Sequence, residues 1–370
     1  MAKVAIIGAG HAGVEAAFLL ANQGVEVTLW SNEAVLPYFR PRLIAVAFGQ
    51  TAPEAIAIKP LAAYETAGIH LKHTAVTALD VTTRTVNGES FDGILLAQGA
   101  KPFVPPFQGD QTAVMTLWTM AEACRLREAI APGKRITIAG GGVLGIEAAL
   151  RAEMAGLQVT LVEVQLALMG GALGEAGHTA LVCALEKKQI RLALGVAIER
   201  VEKDALTFVD GTRLEHDFLL CATGARANLS LASALPTERG LLTDEYLRVA
   251  PGVYAAGDVA QPKGTVPTCA VRRAQLMAQC AAKNLLAELA QTPLAAWSAP
   301  RLPLFMKVED VEFHLLGRVA KDAMLCERRM DDQASPFICQ TLLLEGDVCR
   351  GIRSVGTRAN VAQWEKEMRD

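Results

Sequence analysis

Two glycine clusters are the residues best placed to do chemistry. Gly8, Gly10 and Gly13 follow the apolar run Val4–Ile7, and Gly140, Gly142 and Gly145 follow Ile136–Ala139. In a G-x-G-x-x-G turn the first glycine permits the tight bend and the second lets backbone approach a pyrophosphate. The third lets the following helix pack closely on its strand. The helix opening there offers phosphates free N–H groups, in the first copy through the backbone of His11 and Ala12, and the positive end of its dipole. One such cluster is weak evidence, but both stand directly between a strand pattern and a helix pattern, as dinucleotide binding requires.

The copies differ where a ribose would be read. Glu163 closes the strand pattern Val159–Val162. A carboxylate there accepts bonds from both adenosine ribose hydroxyls and repels a 2′-phosphate, so the second site is expected to prefer NADH to NADPH. At the matching place in the first copy stands Ser31, which can make one bond to a ribose but cannot clamp two hydroxyls. Glu33 is the nearest acid, two residues further on.

The elements that must position these residues form a repeat. Val4–Ala17 recurs as Ile136–Ala149, and Val27-Thr28-Leu29 recurs as Val159-Thr160-Leu161. Two copies of one βαβ unit predict an α/β fold with two doubly wound, Rossmann-like dinucleotide-binding domains. Leu95–Ala100 and Leu219–Gly224 read as strands ending in glycine, and Val253–Asp258 as a strand ending in Gly-Asp. A proline-rich linker holds Pro102, Pro105 and Pro106. A long helix is expected over Thr268–Leu289, and strands near Leu304–Val308 and Phe337–Leu344 belong to a small α+β domain after a proline-containing joint, Thr292–Pro303.

Composition removes several function classes. The chain is 51% hydrophobic and carries a net charge of −3, which suits large buried cores and opposes broad binding to nucleic acid or anionic membranes. No apolar run is long enough to span a bilayer, and the glycines after Lys3 argue against a signal peptide. The eight cysteines include no C-x-x-C pair and no zinc-like cluster with histidine. They suit buried thiols in a reducing compartment, so a cytoplasmic location is expected.

With Tyr38-Phe-Arg-Pro-Arg-Leu43 and Leu302-Pro-Leu-Phe-Met-Lys307 added, these motifs resemble the flavoprotein reductases with two dinucleotide-binding domains. They are most similar to the NADH:rubredoxin and flavorubredoxin reductases. The resemblance implies an FAD-binding domain made of residues 1–104 and 226–296, with an NADH-binding domain, 105–225, inserted in it. A C-terminal domain, 297–370, follows. It implies FAD at Gly8, Gly10 and Gly13, with Val76 giving a backbone contact to adenine and Arg40 and Arg42 running along the cofactor. Asp258 is implied at the ribityl chain, and Gln98 where relatives keep a threonine. NADH is implied at Gly140, Gly142, Gly145 and Glu163, with Gly224 near the nicotinamide. Glu147 matches a glutamate that several relatives pair with a lysine beside the flavin, where this chain has Ala45.

Disulfide reductases of this type relay electrons through a cysteine pair beside the flavin, yet Tyr38–Gly49 contains no cysteine. Electrons are therefore expected to leave the flavin directly for an external acceptor, a rubredoxin-like or other small redox protein. Two alternatives stand beside this reading: an NADH oxidase or quinone reductase, and an NADH-binding sensor with little turnover. Arg272 and Arg273, with Lys307, are a candidate docking patch for an acidic partner, or else a solvated helix face or phosphate contacts. Cys269 reads as packing.

Overall fold

The computed structural model describes residues 1–300, 302–309, 311–317, 326–329, 339–345 and 348–356. Contacts divide the chain into two compact units. One comprises residues 1–103, 118–127 and 225–300, and the other comprises 104–117, 128–224 and 301–370.

The first unit is built on a six-stranded sheet in the order Arg248–Ala250, Val253–Ala255, Gly93–Leu96, Lys3–Ile7, Glu26–Ser31, Ile69–His73. All neighbours are parallel except the first pair. The central runs Val4–Ile7 and Gly93–Leu96 are apolar and buried, as in a parallel sheet covered on both faces. The helix His11–Ala21 and the helix Val271–Leu289 provide much of that cover. Where the chain leaves and re-enters the unit, Ala100–Pro102 pairs antiparallel with Ala225–Ala227.

The second unit carries a five-stranded parallel sheet in the order Val114–Met115, Phe218–Cys221, Arg135–Ala139, Gln158–Glu163, Arg191–Leu194. The duplicated sequence gives a duplicated register: Val4 faces Val27 in the first sheet, and Ile136 faces Val159 in the second. A four-stranded sheet, Arg213–Glu215, Ala205–Phe208, Ile198–Val201, Gln108–Gly109, completes this part of the unit. After Arg301 the described residues form a five-stranded antiparallel sheet, with the helix Gly174–Lys187 in contact with three of its strands.

Two element boundaries differ from the sequence reading. The long helix begins at Val271, not Thr268, because Ala270 is still extended (φ −147°). The strand expected from Phe337 is described from Cys339 to Glu345, and Phe337 itself lies outside the described residues.

Candidate functional site

Each glycine turn is shaped by what a side chain would hit. A Cβ on Gly8 (φ +107°) would stand 2.3 Å from the Ala97 carbonyl oxygen, and one on Gly13 only 1.8 Å from the Gly8 oxygen. The second turn repeats this, with Gly140 against Ala222 at 2.5 Å and Gly145 against Gly140 at 1.8 Å. Gly10 and Gly142 are different. A Cβ there meets nothing within 4 Å, in the space before each helix N-terminus. These are cradles a ligand can fill and a methyl group would obstruct.

In the first unit the other candidates gather round that turn. Gln98 lies beside Gly8, and both its amide atoms are buried without a partner. Gly257 (φ +78°) would bring a Cβ to 3.1 Å from Ala12, so the turn carrying Asp258 abuts the start of the first helix. Burial raises the Asp258 carboxyl above the usual range, against the Cys269 thiol, Arg40 and Arg273, which lower it. The Cys269 thiol is itself pushed up to about 12, first by burial and then by Asp258. His11 packs edge-on to Phe39, 4.8 Å between ring centres, and burial with Arg40 lowers it to about 4. Its Nε2 is buried and unpartnered. Arg42 is exposed and lines a cleft of about 850 Å³ with His11, Phe39 and Lys59.

Val76 lies in the loop after the last strand of the sheet. Asn87 fixes that loop, accepting from the Thr77 N–H at 2.9 Å and donating to the Ala75 carbonyl at 3.0 Å. Sequence reasoning missed Asn87; its signal is the Asn87-Gly88 pair, where Asn87 takes φ +48°.

Ser31 is buried, and its hydroxyl is turned onto the backbone of Glu33, at 3.1 Å to the carbonyl and 3.2 Å to the N–H. The Glu33 carboxylate accepts from the Tyr38 hydroxyl (2.8 Å) and the Met120 N–H (3.0 Å), with Arg40 at 3.7 Å. Arg40 also donates to the Trp118 carbonyl and lies over the Tyr38 and Trp118 rings. Trp118 and Thr119 were not singled out from sequence. Thr119-x-x-Glu122 is a capping box, with Glu122 accepting from the Trp118 and Thr119 N–H groups at 2.8 Å.

In the second unit Glu163 closes its strand as expected. One carboxylate oxygen accepts the Gly141 N–H at 2.7 Å and the other the Gln165 N–H at 2.9 Å, so the acid stands on the glycine turn. Gly224 (φ +104°) is exposed at the end of the adjacent strand. Glu147 lies on the helix Val143–Met154, where burial raises its carboxyl and Arg151, one turn on, lowers it.

The proposed arginine patch needs correction. Arg272 is exposed, but Arg273 is 8% exposed and its charge bears on Asp258, because the helix turns successive residues to different faces. Arg273 is a core cation of the first unit, not a docking residue. Among the described residues no cluster suits a metal ion, and no helix is long and apolar enough to cross a membrane.

The family model for the pyridine nucleotide-disulphide oxidoreductases matches residues 2–280. The chain is 33% identical over 319 residues to the ferredoxin–NAD(+) reductase component of the p-cumate 2,3-dioxygenase system of Pseudomonas putida, covering 80% of this chain and 79% of that protein. It is 30% identical over 275 residues to a rubredoxin-NAD(+) reductase of Pseudomonas putida, covering 70% and 71%. Its fold matches the reductase of a covalent putidaredoxin reductase–putidaredoxin complex, with a TM-score of 0.86 at 22% identity over 99% of this chain and 93% of that one.

Proposed function

The chain belongs to the pyridine nucleotide-disulphide oxidoreductase family, and from that premise we propose that it is an FAD-dependent reductase carrying electrons from NADH to a small iron–sulfur or rubredoxin-like protein. The observation that carries the reading is the pair of glycine turns with opposite ribose positions. One turn is faced by Glu163 and the other by no free acid.

When bound, the flavin supplies the exchange between a hydride pair and single electrons, which no side chain here can perform. The chain's own groups bind and orient. Gly8, Gly10, Gly13 and the N–H groups of His11 and Ala12 hold the FAD pyrophosphate, and the Val76 backbone meets adenine. Gln98 offers its unpartnered amide to the cofactor, and Asp258 takes a ribityl hydroxyl. Arg40 and Arg42 supply positive charge along the cofactor, while Ser31 stands at the adenosine ribose. Gly140, Gly142, Gly145 and Glu163 would hold NADH, Gly224 would leave room for the nicotinamide, and Glu147, whose carboxyl burial raises, is the proposed catalytic acid of the second unit.

Without a cysteine between Tyr38 and Gly49, no dithiol relay can form there, so electrons leave directly. Arg272 is the exposed cation on the helix after Asp258 that suits an acidic acceptor. NADH dependence and six cysteines outside any disulfide among the described residues support a cytoplasmic location.

The test is steady-state NADH oxidation with rubredoxin, a [2Fe–2S] ferredoxin, a quinone or air as acceptor. Fast reduction of one of the two proteins, with slow consumption in air, supports the reading. Fast turnover in air alone would make the chain an oxidase.

A further inference from the structure

The nearest acid to the first ribose position is already engaged. Glu33 keeps 17% of its side-chain surface exposed, and its two oxygens take the Tyr38 hydroxyl, the Met120 N–H and the charge of Arg40. Turning this carboxylate towards a ribose would strand the hydroxyl of Tyr38, a residue only 6% exposed, and an N–H at the start of the helix Met120–Ala129. Ser31 cannot replace it, since its hydroxyl is spent on the Glu33 backbone. The second copy shows the alternative, with Glu163 on the glycine turn itself.

Arg40 is where Glu33 exerts its effect. The guanidinium is held from one side by Glu33, donates to the Trp118 carbonyl, and is flanked by the Tyr38 and Trp118 rings. Trp118 is fixed in turn, donating from Nε1 to the Ala100 carbonyl at 2.8 Å. Arg40 thus enters the loop Tyr38–Arg42 with its direction set by two buried or half-buried neighbours, and its charge reaches both Asp258 and His11.

We propose that Glu33 is a positioning residue that acts on the flavin through Arg40, and that no carboxylate reads the adenosine ribose of the dinucleotide on the first unit. The proposal rests on the assignment of FAD to that unit. It separates two contributions that a ribose acid would merge. FMN lacks the adenosine, so a group that reads the ribose affects FAD alone, whereas a group that orients Arg40 affects both flavins.

The experiment titrates the full-length chain, freed of flavin, with FAD and with FMN, following flavin fluorescence and the absorption bands of the bound flavin. In Glu33→Gln both dissociation constants rise by the same factor, about threefold to tenfold, and the bands shift. In Ser31→Glu the FAD constant falls by about tenfold or more while that for FMN stays unchanged. Should Glu33→Gln not fold, Arg40→Met carries the first arm and shows the same parallel loss. A Glu33→Gln protein that loses about tenfold for FAD and nothing for FMN would overturn the proposal, as that is the mark of a ribose contact. So would unchanged binding and spectra with both flavins. A wild-type chain that binds neither flavin would instead overturn the functional reading beneath it.

Discussion

Glu163 accepts the backbone N–H of Gly141 at 2.7 Å, so the acid proposed to read the ribose is fastened to the second glycine turn. Its second oxygen is fixed by the Gln165 N–H at 2.9 Å, which leaves little freedom to swing away from a 2′-phosphate. On the proposed assignment, removing it should weaken NADH binding and relax the choice between NADH and NADPH together. Glu163→Ser is expected to raise the NADH dissociation constant by about tenfold and to shrink the preference over NADPH by about a hundredfold. Rapid-mixing measurement of flavin reduction against each nucleotide checks both.

The glycines divide into those the fold requires and those that only the proposed ligand would require. A methyl on Gly13 or Gly145 would meet a carbonyl oxygen at 1.8 Å, and neither turn nor helix can retreat that far. Gly13→Ala is expected to cost about 2–4 kcal/mol and to lower the melting midpoint by roughly 5–10 °C. Gly10→Ala meets no atom within 4 Å, so the flavin-free chain melts unchanged while FAD binding drops. Calorimetry of both variants with and without FAD separates the two.

The environment of His11 predicts the sign of a pH dependence of stability. Burial and Arg40 lower the ring's pKa from 6.5 to about 4, so the folded ring stays neutral while the unfolded chain takes up a proton first. Its contribution is complete above about 6.5, is lost progressively as pH falls to about 4, and changes no further below that. In flavin-free protein, His11→Gln should flatten this window by about 1–2 kcal/mol, allowing for the ring's partial exposure. Denaturant midpoints measured across pH 4–8 give the comparison.

Cys269 is exposed as a residue, yet its thiol lies against Asp258. Pushed up to about 12 by desolvation and by Asp258, it should alkylate at pH 8 more slowly than a free cysteine despite the exposure of the residue. Asp258→Asn removes the neighbouring charge and should speed the reaction severalfold, read by mass spectrometry of the modified peptide. Alkylation at the free-cysteine rate in the unaltered protein would show that the pair is not formed.

Much of the fold was legible in the sequence because it was written twice. The repeat of Val4–Ala17 in Ile136–Ala149 predicted both sheets, and the matched registers at Val27 and Val159 follow from it. The start of the long helix was not, since Thr268-Cys269-Ala270 carries helix-compatible side chains; the chain stays extended at Ala270, and Cys269 beside it meets Asp258, outside the helix run. Arg272 and Arg273 look alike as letters, and only the helix phase fixed at Val271 sends one outward and the other inward. The Glu33–Arg40–Trp118 cluster was equally hidden. Trp118 lies 78 residues beyond Arg40 and meets it only where residues 118–127 rejoin the first unit.

Arg272 should matter only for the acceptor. Arg272→Glu is expected to slow reduction of an acidic rubredoxin or ferredoxin by about threefold to tenfold at low salt, with the difference closing as salt rises. Stopped-flow traces across an ionic-strength series read this directly, and an equal effect at all salt concentrations would remove Arg272 from the docking surface.

The most direct test of the account is an anaerobic titration of the purified protein with NADH, followed by flavin absorbance, with NADPH run alongside. The account predicts that bound FAD bleaches stoichiometrically with NADH and only at far higher concentration with NADPH. Protein that carries no FAD, or FAD that NADH leaves oxidised, would contradict it.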